Sequence, residues 1–378
     1  MKKILFLINT LQSGGAEKIL VDTVNNLPEK EWDITVYTVV DKGEYVKKLN
    51  KNIKYKSMIK IKSKLVSRIF LTLFIKIIPE KLIYNFFVDE IYDYEIAFLE
   101  GMATKILSAS TNKESKKIAW VHTDLVEYPD SFKVFGSENN EKKAYSKYDA
   151  IACVSEGVKE KFLKKYGRVT SIVETVYNVV DEADIIKKSK ERCLKNASIP
   201  IIISVGRLTE QKGYECLLRV IKRINEEKLN CVLWIVGEGE QRKKLEEYIE
   251  KNKLHNVELL GFQENPYKFL ARADVFVSSS IVEGFSTVIT EAVVLGIPVI
   301  STNTAGANEP LNNPRCSVIV DTEDELYCAI KRVLEDPQFL ELLKEKAKGK
   351  RACFSKEFII NDLQLFFEKV QKVNINEK

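Results

Sequence analysis

Two carboxylates eight residues apart, Glu283 and Glu291 in SSSIVEGFSTVITEAVVL, are the residues of this chain whose spacing points most directly to chemistry. A short apolar run at 275–277 reads as a buried strand, Glu283 and Gly284 as its turn, and Ser286 or Thr287 as the cap of a helix that Gly296 and Pro298 end. The start of such a helix offers unpaired amides and the positive end of the helix dipole, which suit an anion, most naturally a phosphate. Glu291 lies roughly 7 to 8 Å further along the axis, about the reach from a phosphate to a neighbouring sugar ring. Val288, Ile289, Ala292, Val293, Val294 and Leu295 surround it, so the helix is buried on most faces and the carboxylate needs partners to offset its desolvation. Ribose hydroxyls would serve. The structural alternative is that Glu283 closes a turn and Glu291 pairs with a nearby lysine.

Other residues with binding chemistry fall at strand ends. Gly206 to Gly213 reads GRLTEQKG, with Arg207 and Lys212 five apart between a strand and a helix. Arginine supplies a planar fork of donors and lysine a compact charge, so the two together can clamp a diphosphate; alternatively both decorate a loop. Near the N-terminus an apolar run at 4–8 leads through TLQSGGAE into a helix, and Gly14 and Gly15 let a ligand approach the backbone. The dinucleotide pattern G-x-G-x-x-G is absent there. His122, in WVHTD, stands at a strand's carboxyl end, the edge where open α/β sheets bind ligands. His255 is the only other histidine, and its loop LHN reads as surface. Gly237-Glu238-Gly239 and Gly261-Phe262 close two more turns, the second placing an aromatic near a base.

The elements that must position these residues alternate along the chain as strands and helices. A chain of 378 residues implies two domains, and 45% hydrophobic residues with 30% charged is a globular composition. Residues 1–177 read as one parallel-sheet domain, 178–198 as a charged linker with its flanking helix, and 199–354 as a second domain, where IIISVG, CVLWIVG, VELLG, DVFVSSS and PVIST alternate with helices. Residues 355–378 hold a last helix, apolar at Phe358, Ile359, Leu363, Leu365, Phe366 and Phe367.

Composition narrows the partners. A net charge of +5 is too small to argue for nucleic acid, and seven scattered cysteines without a C-x-x-C pair read as reduced cytoplasmic thiols. No segment reaches the roughly 18 to 20 apolar residues of a membrane span. MKKILFLI lacks a cleavage site and reads as the first strand. The stretch from Lys54 to Val88 is different, with eight basic residues against the single acid Glu80 and an apolar series from Ile69 to Phe87. A helix of that kind lies in a lipid interface with its lysines toward anionic headgroups; otherwise its apolar face is ordinary core.

In their order and spacing, GGAEK, the histidine of WVHTD, GRLTEQKG, GEGEQ and EGFSTVITE resemble the motifs of glycosyltransferase family 4, and the resemblance covers nearly the whole chain. It implies a GT-B fold, two Rossmann-like doubly wound domains facing a central cleft, the first binding the acceptor and the second a nucleotide sugar. The last helix would cross back to the first domain. By the same resemblance Arg207 and Lys212 hold the donor diphosphate, Glu291 its ribose, and Glu283 lies beside the transferred hexose. Gly284 and the amides of Phe285 and Ser286 complete the phosphate site, with Glu238 and Phe262 nearby. His122 contacts the donor sugar next to the reacting carbon, Gly15 faces the phosphates, and Gly14 and Glu17 border the acceptor.

The implied activity is a retaining, metal-independent hexosyl transfer from a nucleotide diphosphate sugar, with a UDP-sugar favoured. The acceptor is a saccharide or a lipid-linked molecule of surface-polysaccharide synthesis, reached at the inner face of the cell membrane. No cofactor is implied, and no D-x-D triplet offers a metal site. Two departures from the family pattern stand out. Tyr177-Asn178-Val179 replaces the usual Pro-Asn-Gly, and NTAGANEP has Gly306 without a second glycine before Glu309. The other readings weighed are a dehydrogenase, which the missing dinucleotide pattern disfavours, a sugar-nucleotide epimerase, and a non-catalytic partner that binds sugar nucleotides.

Overall fold

The computed structural model describes the chain except for residues 13, 61–77, 128, 194, 196, 197, 312–316, 351–354 and 373–378. Two compact units emerge, Met1–Val179 with Ile359–Lys378, and Val180–Phe358. In the first, strands β1 (Lys2–Ile8), β2 (Trp32–Val40), β3 (Lys54–Ile59), β4 (Tyr94–Ala97), β5 (Lys116–Val121), β6 (Ala150–Cys153) and β7 (Ile172–Thr175) pair in the order β3-β2-β1-β4-β5-β6-β7. In the second, β8 (Ile201–Val205), β9 (Val232–Val236), β10 (Val257–Gly261), β11 (Val275–Ser278), β12 (Val299–Thr302) and β13 (Ser317–Val320) pair in the order β10-β9-β8-β11-β12-β13.

Every pairing among the described strands is parallel. A parallel sheet is covered by helices on both faces, so its inner strands need no polar side: Ile4 to Ile8 of β1 are all fully buried. In the second unit alternate strand residues feed two cores. Ile202, Leu233, Val275 and Ile300 pack with Leu217 and Ile221 of the helix Tyr214–Glu226, and Ile203, Trp234, Phe276 and Val299 pack with Ile289 and Val293 of the helix Thr287–Val294. Each strand order reverses once, between β1 and β4 and between β8 and β11. At such a switch point the loops leave in opposite directions and open a crevice at the carboxyl edge.

Residues 178–198, expected as the linker and its flanking helix, contain a helix among the described residues. Asp181 caps a helix, Glu182–Ser189, through its side chain and the Asp184 amide, and Ile185 of that helix is buried in the second unit's core. Ile185 and the half-buried Ile186 anchor it among charged neighbours. The stretch from Lys54 to Val88 is also not one element. Its first six residues are the edge strand β3, and its end is a helix, Glu80–Phe87, that buries Ile83 and Tyr84 while exposing Leu82 and Phe86. Its middle, and with it most of the expected interfacial helix, lies outside the described residues. Among the described residues no helix is long and apolar enough to cross a membrane.

The last helix, Lys356–Lys372, belongs to the first unit from Ile359 onward. Ile359 and Ile360 pack on Val179, and the Phe367 ring meets Trp32 at 5.2 Å and Tyr94 at 5.4 Å. The Tyr94 hydroxyl donates to the Phe367 carbonyl at 3.0 Å. Truncating a buried phenylalanine costs about 3–5 kcal/mol. Phe367→Ala should therefore lower unfolding free energy by that amount, measured by urea titration; a loss below about 1 kcal/mol would mean the helix does not anchor there.

Candidate functional site

The second unit brings its candidate residues together by interlocking the loops after β8 and β11. The β8 loop passes Gly206 and Arg207, makes one tight turn at Glu210–Lys212, and enters the helix Tyr214–Glu226 through Gly213. Gly213 has φ +62°, and a Cβ there would stand 2.1 Å from the Ser279 carbonyl oxygen, so only glycine permits this approach. Three hydrogen bonds then lace the two loops. The Ser279 hydroxyl donates to the Lys212 carbonyl at 2.9 Å, the Ile281 amide to the Gln211 carbonyl at 2.8 Å, and the Gln211 side-chain amide to the Val282 carbonyl at 3.0 Å. Lys212 and Glu283 are thereby set facing each other, Nζ 2.7 Å from Oε2, with side chains only 19% and 14% exposed.

A third loop closes the cradle. Gly306, in the helix Ala305–Leu311, donates its amide to the Glu283 carbonyl at 2.9 Å and accepts from the Ser286 amide at 3.1 Å. A Cβ on Gly306 would lie 2.4 Å from the Gly284 carbonyl carbon, so this single glycine suffices where the sequence left the loop's course open. The same contact alters one expectation: in this structure the Ser286 amide bonds to Gly306 rather than facing outward for a phosphate. Ser286 precedes the helix Thr287–Val294, but its hydroxyl does not cap it.

Glu291 is 4% exposed within that helix, and the buried Tyr267 hydroxyl donates to its Oε1 at 3.1 Å. A tyrosine hydroxyl is thus a partner where the structural alternative had a lysine. Arg207 is exposed on the β8 loop. Glu238 is on the surface in an ion pair with Arg242, and the Phe262 ring is about half exposed. A cavity of about 520 Å³ opens at the same sheet edge on the other helical layer, lined by Tyr214, Arg219, Ser280, Thr302 and Glu323 among others. Arg207, Lys212, Glu283 and Glu291 do not line it, although Gly213, Ser279 and Ile281 of the interlocked loops do. Among the described residues no group of three or more His, Cys, Asp or Glu comes together as a metal site.

The first unit gathers a different set at its own switch point. Gly14 precedes the helix Gly15–Asn26, and the Glu17 carboxylate folds back over it, 2.1 Å from where a Cβ would be; Gly15 faces open space. His122 follows β5, its ring 4.8 Å from that of Phe98 and 6.2 Å from that of Trp120. Burial pushes the imidazole down to about 3, with the Phe98 backbone pulling the other way, so His122 is neutral at pH 7. Its Nε2 is buried and makes no hydrogen bond among the described residues.

Glu100, 8% exposed, holds this turn: one carboxylate oxygen accepts from the His122 amide and from the Thr123 amide, the latter at 2.6 Å. Burial pushes Glu100 up to about 7, against the pull of those amides. Neither Glu100 nor Tyr267 was singled out from sequence. Glu100 had a legible signal, FLEG at a strand's carboxyl end, whereas Tyr267 in ENPYKFL had none.

Comparison with known proteins adds to this geometry. Residues 185–350 match the family model described as glycosyl transferases group 1. Over 272 residues the chain is 34% identical to an uncharacterized glycosyltransferase, MJ1059, of Methanocaldococcus jannaschii, covering 69% of this chain and 62% of that one, so less than two thirds of the relative is spanned. It is 28% identical over 364 residues to GalNAc-alpha-(1->4)-GalNAc-alpha-(1->3)-diNAcBac-PP-undecaprenol alpha-1,4-N-acetyl-D-galactosaminyltransferase of Campylobacter jejuni, covering 92% and 93%. Among solved structures, Anabaena Alr3699/HepE in complex with UDP and glucose matches with a TM-score of 0.76 at 20% identity, over 99% of this chain and 100% of that one. At that identity the likeness establishes the fold, which is GT-B.

Glu100 gives a pH test. Its folded value lies above the ordinary 4.5, so the stability it contributes is present below about pH 4.5 and is lost as pH rises through 7. Between pH 5 and 8 the wild type should lose up to about 3 kcal/mol relative to Glu100→Gln, measured by urea unfolding of both proteins. Parallel pH profiles for the two would show that Glu100 is ionised throughout.

Proposed function

We propose that this chain, which belongs to the glycosyl transferases group 1 family, transfers a hexose from a nucleotide diphosphate sugar, a UDP-sugar in the first instance, with retention of configuration and without metal. The observation that carries the reading is the Lys212–Glu283 pair held at 2.7 Å, with the buried Glu291 further along the helix that follows.

Each residue then has a task. Lys212 turns from Glu283 to the diphosphate, and Arg207, free to move on an exposed loop, closes on the same phosphates; together they stabilise charge on the leaving group as a metal ion would. Glu291, already oriented by Tyr267, accepts hydrogen bonds from the ribose hydroxyls. Glu283 accepts from hydroxyls of the transferred hexose, and neutral His122 offers a hydrogen bond to that sugar without adding charge. In the reaction the acceptor oxygen forms a bond to the anomeric carbon as the bond from that carbon to the phosphate oxygen breaks. The departing phosphate takes the acceptor's proton, so no separate general base is required.

The acceptor in this reading is a saccharide or a lipid-linked molecule at a membrane surface. The named lipid-linked substrate of the Campylobacter relative supports it, as does the exposure of Ile78, Leu82, Phe86 and Ile91 beside the basic stretch that begins at Lys54. Wild type should sediment with vesicles containing anionic lipid and Leu82→Ser/Phe86→Ser should do so several-fold less; equal sedimentation would return that helix to an ordinary surface role.

The central test is a thermal-shift screen of UDP, GDP, ADP and NAD in EDTA, run on wild type and Glu291→Ala. One nucleoside diphosphate, expected to be UDP, should raise the wild-type melting temperature and fail to raise that of the variant. Stabilisation by NAD alone, or by no nucleotide, would overturn the reading.

A further inference from the structure

Tyr214 is the first residue of the helix Tyr214–Glu226, 3% exposed, with its ring in the core against Leu217 and Leu218. Its hydroxyl is buried and makes no well-formed hydrogen bond among the described residues. A phenylalanine would fill the same space without leaving a polar atom unmatched in the core. The hydroxyl reaches to the floor of the charged site. A Cβ built on Gly206 would lie 3.0 Å from it and 3.2 Å from Cε of Lys212, so the hydroxyl and the end of the lysine chain flank one small volume. Burial raises the hydroxyl's pKa first, the Ser204 hydroxyl opposes that, and the Glu283 carboxylate raises it further. Glu283 therefore acts on Tyr214 while still bound to Lys212.

This geometry creates a difficulty that the hydroxyl can resolve. If Lys212 moves to a diphosphate, Glu283 is left in a site where it is only 14% exposed and has lost its cation. A mostly buried carboxylate without a partner takes up a proton. We propose that Tyr214 is a positioning residue for the transfer site: when a nucleoside diphosphate draws Lys212 away, the Tyr214 hydroxyl donates to the Glu283 carboxylate and keeps it ionised and oriented toward the sugar. The inference rests on the reading of the site given above. The other charged or titratable groups on the segments packed around Glu283 are Arg207 and Glu210 on the β8 loop, Glu291 on the following helix and Glu309 on the helix Ala305–Leu311.

The test is the proton count of UDP binding, from titration calorimetry at pH 6.5 in buffers of different ionisation enthalpy, on wild type, Tyr214→Phe and Tyr214→Phe/Glu283→Gln. UDP's own terminal phosphate titrates nearby, so the readout is the difference between proteins. Tyr214→Phe should bind UDP within about threefold of wild type yet take up at least about 0.2 proton more per UDP, and the added Glu283→Gln change should remove that excess. A structural role for the ring alone would not move the proton count. Equal counts in wild type and Tyr214→Phe, or an excess that survives Glu283→Gln, overturn the inference and leave the reading of the site intact. A wild type that binds none of UDP, GDP and ADP overturns both.

Discussion

The ion pair between Lys212 and Glu283 is the interaction to which the rest of the second unit answers. Removing two charges from most of their water is costly, and their mutual attraction offsets that cost only while the geometry holds. The loops after β8 and β11 are accordingly laced by backbone and side-chain hydrogen bonds rather than left to find one another. Ser279 holds the Lys212 carbonyl, Ile281 holds that of Gln211, and Gly306 holds that of Glu283. A displacement of either loop would strand both charges. The sheet makes this possible, because β8 and β11 are hydrogen-bonded neighbours whose outgoing loops start side by side although the chain between them runs through two other strands.

The first unit meets the cost of burial in another way, with shifts toward the uncharged forms of His122 and Glu100. His122 is held uncharged by its surroundings, and Glu100 is held near its midpoint at neutral pH. A neutral imidazole beside aromatic rings can direct a hydrogen bond without adding charge.

The strand and helix alternation, the two-unit division and the loops that carry charge were legible because parallel strands are continuous apolar runs and because glycine, arginine, lysine and glutamate mark their ends. The edge strands β3 and β13 were not, since each is buried along only part of its length: Lys54 at the start of β3 is exposed, as is Ile319 in β13. Tyr267 and the engaged Ser286 amide were beyond sequence in a stricter sense. They depend on which distant loop lies alongside, and neither the spacing around Asn265 nor the word NTAGANEP encodes that.

Gly213 and Gly306 touch their neighbouring loops backbone to backbone, at distances that no side chain would allow. The outline of the site is consequently written largely in the main chain, and the side chains that take no part in joining the loops can differ without moving it. This separates the loops into two kinds of position. Libraries at Thr209, Glu210 and Val282 sample new chemistries on a constant frame, whereas any library that includes the two glycines samples mostly collapsed frames.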